Sequence, residues 1–211
     1  MSKPYVVFLN GPPGSGKDYA ADVLMHDSGL HVETHKFAAP IKRSIAILCN
    51  TSVRAMENNK TKVMLPYGVT GRQMMIDFSD KWMKPAYGKD IFGKILAEHI
   101  GAIMQMHEQD EKLGLTGKPD ETGMPVGNPD LFVITDSGFD YEAEHVLKLF
   151  GNDNALLIRL HRDGHTFDGD SRSYIEMPDV HTIDFVNCGT DDFAKRLISN
   201  VKNWMKEKNN G

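Results

Sequence analysis

The chain has 211 residues, 40% of them hydrophobic and 25% charged, with a formal net charge of -5 at pH 7. A chain of that length builds one α/β domain whose core needs no disulfide or metal staple. The acidic balance argues against a nucleic-acid polymer as partner, because duplex binding rests on a basic face that neutralises phosphates.

The first element is the apolar run Tyr5 to Leu9, which reads as a fully buried parallel strand. It is too short for a signal core or a membrane span. Cys49 and Cys188 stand far apart and read as free thiols of a reducing compartment. The expectation is a cytoplasmic protein with no membrane partner. A glycine-rich turn follows the strand, then a helix from Asp18 to Met25, with Ala20, Ala21, Val23 and Leu24 at helical spacing. His31 to Lys36 reads as a second strand, and Pro40 to Leu48 as a helix with Ile41, Ile45 and Leu48 on one stripe. Residues 50–68 are polar and read as an irregular flap. Helices are expected over Arg72 to Met83 and Ile91 to Met106, separated by a break at Lys84-Pro85-Ala86-Tyr87-Gly88. Residues 108–130, rich in Gly and Pro, read as a long surface loop. Then come a strand over Leu131 to Thr135, a helix over Glu142 to Phe150 and a strand over Ala155 to Leu160. A polar loop follows over Asp163 to Pro178. The last elements are a strand over His181 to Val186 and a helix over Asp191 to Lys206. Strands alternating with helices predict an α/β fold, a parallel sheet covered on both faces.

Gly11-Pro12-Pro13-Gly14-Ser15-Gly16-Lys17 fits the pattern G-x-x-x-x-G-K between a strand and a helix. Glycines there let the backbone wrap a phosphate with its N–H groups, and the helix points its positive end at the anion. Gly11, Gly14, Ser15, Gly16 and Lys17 are the expected triphosphate contacts, Lys17 acting as a point charge on the β/γ-phosphates. Ser or Thr usually follows the lysine and holds Mg²⁺; here Asp18 and Tyr19 stand instead. Asp18 either holds the metal or points away from it.

This loop resembles that of adenylate kinase and other nucleoside monophosphate kinases, which also lack Ser/Thr directly after the lysine and place Thr where this chain has Tyr19. Asp136-Ser137-Gly138-Phe139 is similar to the Asp-Gly-Phe segment ending the equivalent strand of adenylate kinases, although Asp140 and Tyr141 replace the arginine expected next. At a strand end where open α/β sheets bind ligands, Asp136 is a candidate to organise Mg²⁺ through water or to steer an acceptor phosphate. Glu142 is a candidate acceptor contact, or a solvated carboxylate at a helix start. Arginine forks match phosphate oxygens. Of Arg159, Arg162 and Arg172, the last two are the preferred members of a lid over residues 162–178 that closes on the triphosphate and excludes water. The alternative is surface arginines paired to Asp163, Asp168 or Asp170. Arg72 opens a helix and either binds the acceptor phosphate or stays solvated.

Further segments resemble the deoxynucleoside monophosphate kinases of tailed bacteriophages: Phe37-Ala38-Ala39-Pro40-Ile41-Lys42, Lys84 to Asp90, and Arg162-Asp163-Gly164-His165 through Ile175. The resemblance implies a three-layer α/β/α kinase with a five-stranded parallel sheet, a helical acceptor-binding insertion over 36–106 and a homodimeric state. It implies ATP and Mg²⁺ as cofactors, and transfer of the γ-phosphoryl of ATP to a (deoxy)nucleoside monophosphate. Lys17, Arg162, Arg172 and Asp136 are then catalytic, and Asn187 and Gly189 form an adenine-side turn. Phe37, Lys42, Arg72, Asp136, Phe139 and Glu142 line the acceptor. A kinase of another small metabolite and a non-catalytic nucleotide-binding module are the competing readings. The nine scattered histidines show no metal-ligand spacing.

Overall fold

β1 (Tyr5–Asn10) is buried along its whole length, as a strand flanked by neighbours on both edges and covered on both faces must be. The structure is a computed structural model and describes residues 3–58, 61–64, 68–115 and 127–209. In chain order, β1 is followed by α1 (Lys17–Asp27), β2 (Val32–His35), α2 (Ala39–Leu48) and α3 (Val53–Asn58), then by the short strands β3 (Val63–Met64) and β4 (Val69–Thr70). Next come α4 (Gly71–Asp77), α5 (Lys84–Tyr87), α6 (Ile91–Lys112), β5 (Leu131–Ile134), α7 (Asp140–Phe150), β6 (Ala155–His161), β7 (His181–Val186) and α8 (Asp191–Asn209).

The main sheet has five parallel strands in the order β2-β5-β1-β6-β7. Alternation along the strands sends Val7, Leu9, Val133 and Ile158 into one core layer, with Leu24 of α1 and Phe193 and Leu197 of α8. Val6, Phe8, Phe132 and Leu157 face the other layer, with Ile41, Phe92, Ile100 and Val146 of α2, α6 and α7. This is the three-layer α/β/α fold expected from the sequence. β1 lies at the middle of the sheet, so the loop that leaves its carboxyl end sits where ligands of open α/β sheets bind.

Three local expectations are corrected. Residues 50–68 are not irregular throughout. Ser52 Oγ accepts a hydrogen bond from the Ala55 N–H and starts α3, and β3 pairs antiparallel with β4. The capping serine was the overlooked signal. Second, the chain does not break at Pro85. α4 runs through a π-helical stretch, Phe78–Met83, into α5, where proline occupies the first turn and its missing N–H costs least. The break falls at Gly88, φ 99°. Third, α6 extends six residues beyond Met106 to Lys112, because no Pro or Gly interrupts it before Gly114. The remainder of the expected 108–130 loop, residues 116–126, lies outside the described residues.

Cys49 and Cys188 are free thiols. Among the described residues no helix is long and apolar enough to cross a membrane.

Candidate active site

The turn between β1 and α1 is built so that every carbonyl has a donor. Lys17 Nζ donates to the Gly11 and Pro12 oxygens at 2.5 and 2.8 Å. The His165 ring meets the Pro13 oxygen through Nδ1 at 3.0 Å, and Arg162 Nη1 donates to the Gly14 oxygen at 3.0 Å. Asn187 Nδ2 donates to the Ser15 oxygen at 2.9 Å, and the Ala20 N–H to the Gly16 oxygen at 2.8 Å. Meanwhile the N–H groups of Gly14, Gly16 and Lys17 have no partner among the described residues. Gly14 (φ 79°) and Gly16 (φ 98°) take the left-handed backbone that makes this possible. A side chain at Gly16 would also collide with Asn187 Nδ2. The outcome is a concave set of open donors at the N-terminus of an eleven-residue helix, a ready anion site. Ser15 Oγ is buried there with no partner among the described residues, which points to an occupant that supplies one.

Lys17 is pulled down to about 8, first by burial and then by the Arg172 charge, against Asp18, Asp136 and Asp170. It still carries its charge at neutral pH, and an incoming anion favours that charged form further. Asp18 does not point into the loop: its carboxylate pairs with Lys36 at 2.6 Å. Burial works against its charge, but the Lys36 hydrogen bond and the charges of Lys36, Lys17 and Lys42 hold it below its usual range. Tyr19 stacks on Phe193 at 5.9 Å and so serves as packing. Among the described residues no group of three or more His, Cys, Asp or Glu is placed to hold a cation. This donor set fits Mg²⁺ carried mainly by phosphate oxygens and water, the usual habit of that ion, with Asp18 the carboxylate nearest in sequence to the loop.

Asp136 lies just past the end of β5, as expected, but both its oxygens are taken. Oδ1 accepts from the Phe37 N–H at 2.7 Å and Oδ2 from the Ala38 N–H at 3.0 Å. Burial raises its carboxyl, against those two N–H groups and the charges of Lys42 and Lys36. It therefore fixes the turn that opens α2. Beside it is a cleft of about 130 Å³, walled by Phe37, Ile41, Phe92 and Phe139 and carrying Asp136, Glu142 and Arg172. Phe37 is buried at the cleft wall. Phe139 stacks on Tyr141 at 5.2 Å, with Lys84 Nζ 5.0 Å from its ring. Lys42 is not directed to the cleft; it pairs with Glu57 of α3.

Arg172 meets the cleft from the segment between β6 and β7. Its Nε and Nη2 grip Asp170 at 2.8 and 2.6 Å, and its aliphatic stem lies over Gly138, where a Cβ would collide with Cδ at 2.4 Å. Arg72 Nη2 is 4.0 Å from the same Asp170 carboxylate. The Arg172 hydrogen bond takes Asp170 down to about 2, against its burial. The pairing of Arg172 with Asp170, the alternative offered by the sequence, is therefore present, but the carboxylate is buried and not at the surface, and it stands between Arg172 and the arginine at the start of α4. Asn10 is a residue that the sequence did not single out. Fully buried at the end of β1, it donates to the Ser137 and Ser173 oxygens at 2.7 and 3.0 Å and accepts from the Ile175 N–H at 3.1 Å. It thereby staples the segment Ser173–Ile175 to the end of β1. Asn187 also accepts from the Gly189 N–H at 3.0 Å, so the expected adenine-side turn abuts the loop. Arg159 carries a buried Nε without a partner among the described residues.

Glu142 is 5% exposed, which excludes the solvated helix-start alternative, and it titrates at about 7. Burial is the main cause; Lys84 opposes it, while Asp136 and Asp80 add to it. Folded, the carboxyl keeps its proton up to about pH 7; unfolded, it loses it near 4.5. The native state thus binds the extra proton between those values, and stability falls as pH rises through that window. Glu142→Gln removes the effect. Urea unfolding should find the variant about 3 kcal/mol more stable than the wild type at pH 8, and nearly equal at pH 4.5. An unchanged difference at the two pH values would contradict the assignment.

A glycine loop of this geometry, leaving the central strand of a five-stranded parallel sheet, defines a P-loop α/β/α fold. No family model matches the chain, and no curated protein matches it. Among solved structures, an unliganded sugar kinase from Janibacter sp. HTCC2649 aligns with 96% of this chain and 95% of its own, at 13% identity and a TM-score of 0.45. The crystal structure of APE1195 aligns with 96% of this chain and 97% of its own, at 14% identity and a TM-score of 0.41. Neither likeness bears on substrate.

Proposed function

We propose that the chain is an ATP-dependent kinase that transfers the γ-phosphoryl group to a (deoxy)nucleoside monophosphate, with Mg²⁺ as cofactor. The observation that carries this reading is the loop with every carbonyl tied and its N–H groups open, set beside a cleft that presents Arg172. The choice of acceptor rests on the segments Phe37 to Lys42, Asp136 to Phe139 and Arg162 to Ile175, which resemble bacteriophage deoxynucleoside monophosphate kinases.

In this reading the loop N–H groups and Lys17 hold the β- and γ-phosphates. Mg²⁺ supplies further neutralisation of the phosphate charge, with Asp18 as the carboxylate at hand. Arg172 and Arg162 approach from the lid and share the charge that develops on the transferred group. Arg72 takes the acceptor phosphate, and Phe37 and Phe139 flank its base. Asp136 keeps the Phe37–Ala38 turn in place. No general base is needed, because a phosphate acceptor is already an anionic nucleophile. A lid that excludes water protects the phosphoryl group from hydrolysis.

The test is incubation of the pure protein with ATP, Mg²⁺ and each ribo- or deoxynucleoside monophosphate in turn, with separation of the products. The expected result is a diphosphate from at least one monophosphate. Absence of product with all of them would overturn the acceptor assignment.

A further inference from the structure

His165 belongs to none of the roles assigned so far, yet it sits against the phosphate loop. Arg162-Asp163-Gly164-His165 is a tight turn: the His165 N–H donates to the Arg162 oxygen at 3.1 Å, and Gly164 takes φ 74°. Closing the turn places the two side chains next to each other, and they reach successive loop carbonyls, Gly14 and Pro13. A carbonyl only accepts, so Nδ1 of His165 carries the proton. The contact is intimate: a Cβ on Gly14 would lie 2.4 Å from His165 Nδ1, so the ring occupies the space that a side chain at position 14 would fill.

The consequence follows from peptide geometry. In a planar trans peptide the carbonyl of one residue and the N–H of the next point in opposite directions. Holding the Pro13 oxygen outward therefore turns the Gly14 N–H inward, toward the open donors of Gly16 and Lys17. Glycine lets such a peptide flip at little steric cost, and a flipped Pro13–Gly14 unit would present a carbonyl to the anion instead of a donor. Asn187 exerts the same control on the Ser15–Gly16 peptide from the other side. Pro13 has no N–H and Gly14 no side chain, so the orientation of this peptide is imposed from outside the loop.

We propose that His165 is a positioning residue for the donor phosphates, holding the Pro13–Gly14 peptide so that the Gly14 N–H faces the bound anion. This rests on the reading of the loop as a triphosphate site. It ties the lid to the loop before any ligand arrives, so that the donors need not reorganise on binding.

The test compares the wild type with His165→Ala and His165→Asn, whose amide places a donor where Nδ1 stood. Calorimetric titration with ATP and with inorganic tripolyphosphate should show His165→Ala binding both about fivefold more weakly, and His165→Asn within about twofold of the wild type. In the ligand-free protein, relaxation dispersion should show millisecond exchange of the Gly14 amide in His165→Ala and not in the other two. Equal affinities with a quiet Gly14 amide in His165→Ala would overturn the proposal, as would an asparagine variant as weak as the alanine one. If the wild type binds neither ligand, the triphosphate reading fails, and the Gly14 amide alone then decides whether His165 holds the peptide.

Discussion

Lys17→Ala is expected to lower phosphoryl transfer by about a thousandfold or more, the scale of removing one preorganised charge from a developing phosphoryl transition state. The fold should survive. Lys17 is pulled down to about 8 chiefly by its burial, so its charge is held at a cost in the folded chain, and deleting it relieves that cost. Among the described residues its hydrogen bonds go to the Gly11 and Pro12 oxygens; Pro12 keeps a second donor in the Ser15 N–H at 3.2 Å, so Gly11 alone loses its donor. Thermal unfolding of the variant should therefore stay within a few degrees of the wild type, about 1 kcal/mol for a domain of this size. Turnover near the wild-type rate in a folded Lys17→Ala protein would place the triphosphate somewhere else.

Arg172→Ala should cost both turnover and stability, and a second substitution separates the two. The guanidinium approaches the cleft, and its loss removes charge stabilisation of about a hundredfold to a thousandfold in kcat. It also strands Asp170, whose carboxylate is buried and gripped through two hydrogen bonds. A buried carboxylate left without its partner destabilises by about 3 kcal/mol, less here because Arg72 stands 4.0 Å away. Asp170→Asn in the Arg172→Ala background removes the stranded charge. It should recover most of the unfolding free energy and none of the turnover. Recovery of both together would mean that Arg172 acts only through folding.

The sheet was legible in the sequence because its strands are buried on both faces. Tyr5 to Leu9 and Leu131 to Ile134 are continuous apolar runs, Ala155 to Leu160 is broken only by Arg159, and their length and β-branched and aromatic residues suit buried strands. The loop was legible because a tight turn between a strand and a helix demands glycine where the backbone is left-handed, at Gly14 and Gly16. The carbonyl donors were only half legible. Arg162 and Asn187 drew notice as lid and base-turn residues, but their bonds to Gly14 and Ser15 cross more than a hundred residues of chain, and no local pattern announces such a contact. The burial of Asp170 was hidden for a related reason. A carboxylate in a polar loop looks solvated until the fold sets Arg172 and Arg72 on either side of it. The helical region between 71 and 88 was misjudged at Pro85, because a proline in the first turn of a new helix looks the same as a helix breaker until the π-helical stretch before it is seen.

The central claim is that the N–H groups of Gly14, Gly16 and Lys17 receive the triphosphate. Titration of ¹⁵N-labelled protein with ATP and Mg²⁺, followed by amide NMR, tests it most directly. The account predicts that the largest and earliest shifts fall on the amides of Gly14, Gly16 and Lys17, and that inorganic tripolyphosphate alone shifts the same three. Shifts centred elsewhere on the chain, with these three amides unmoved at saturation, would contradict it.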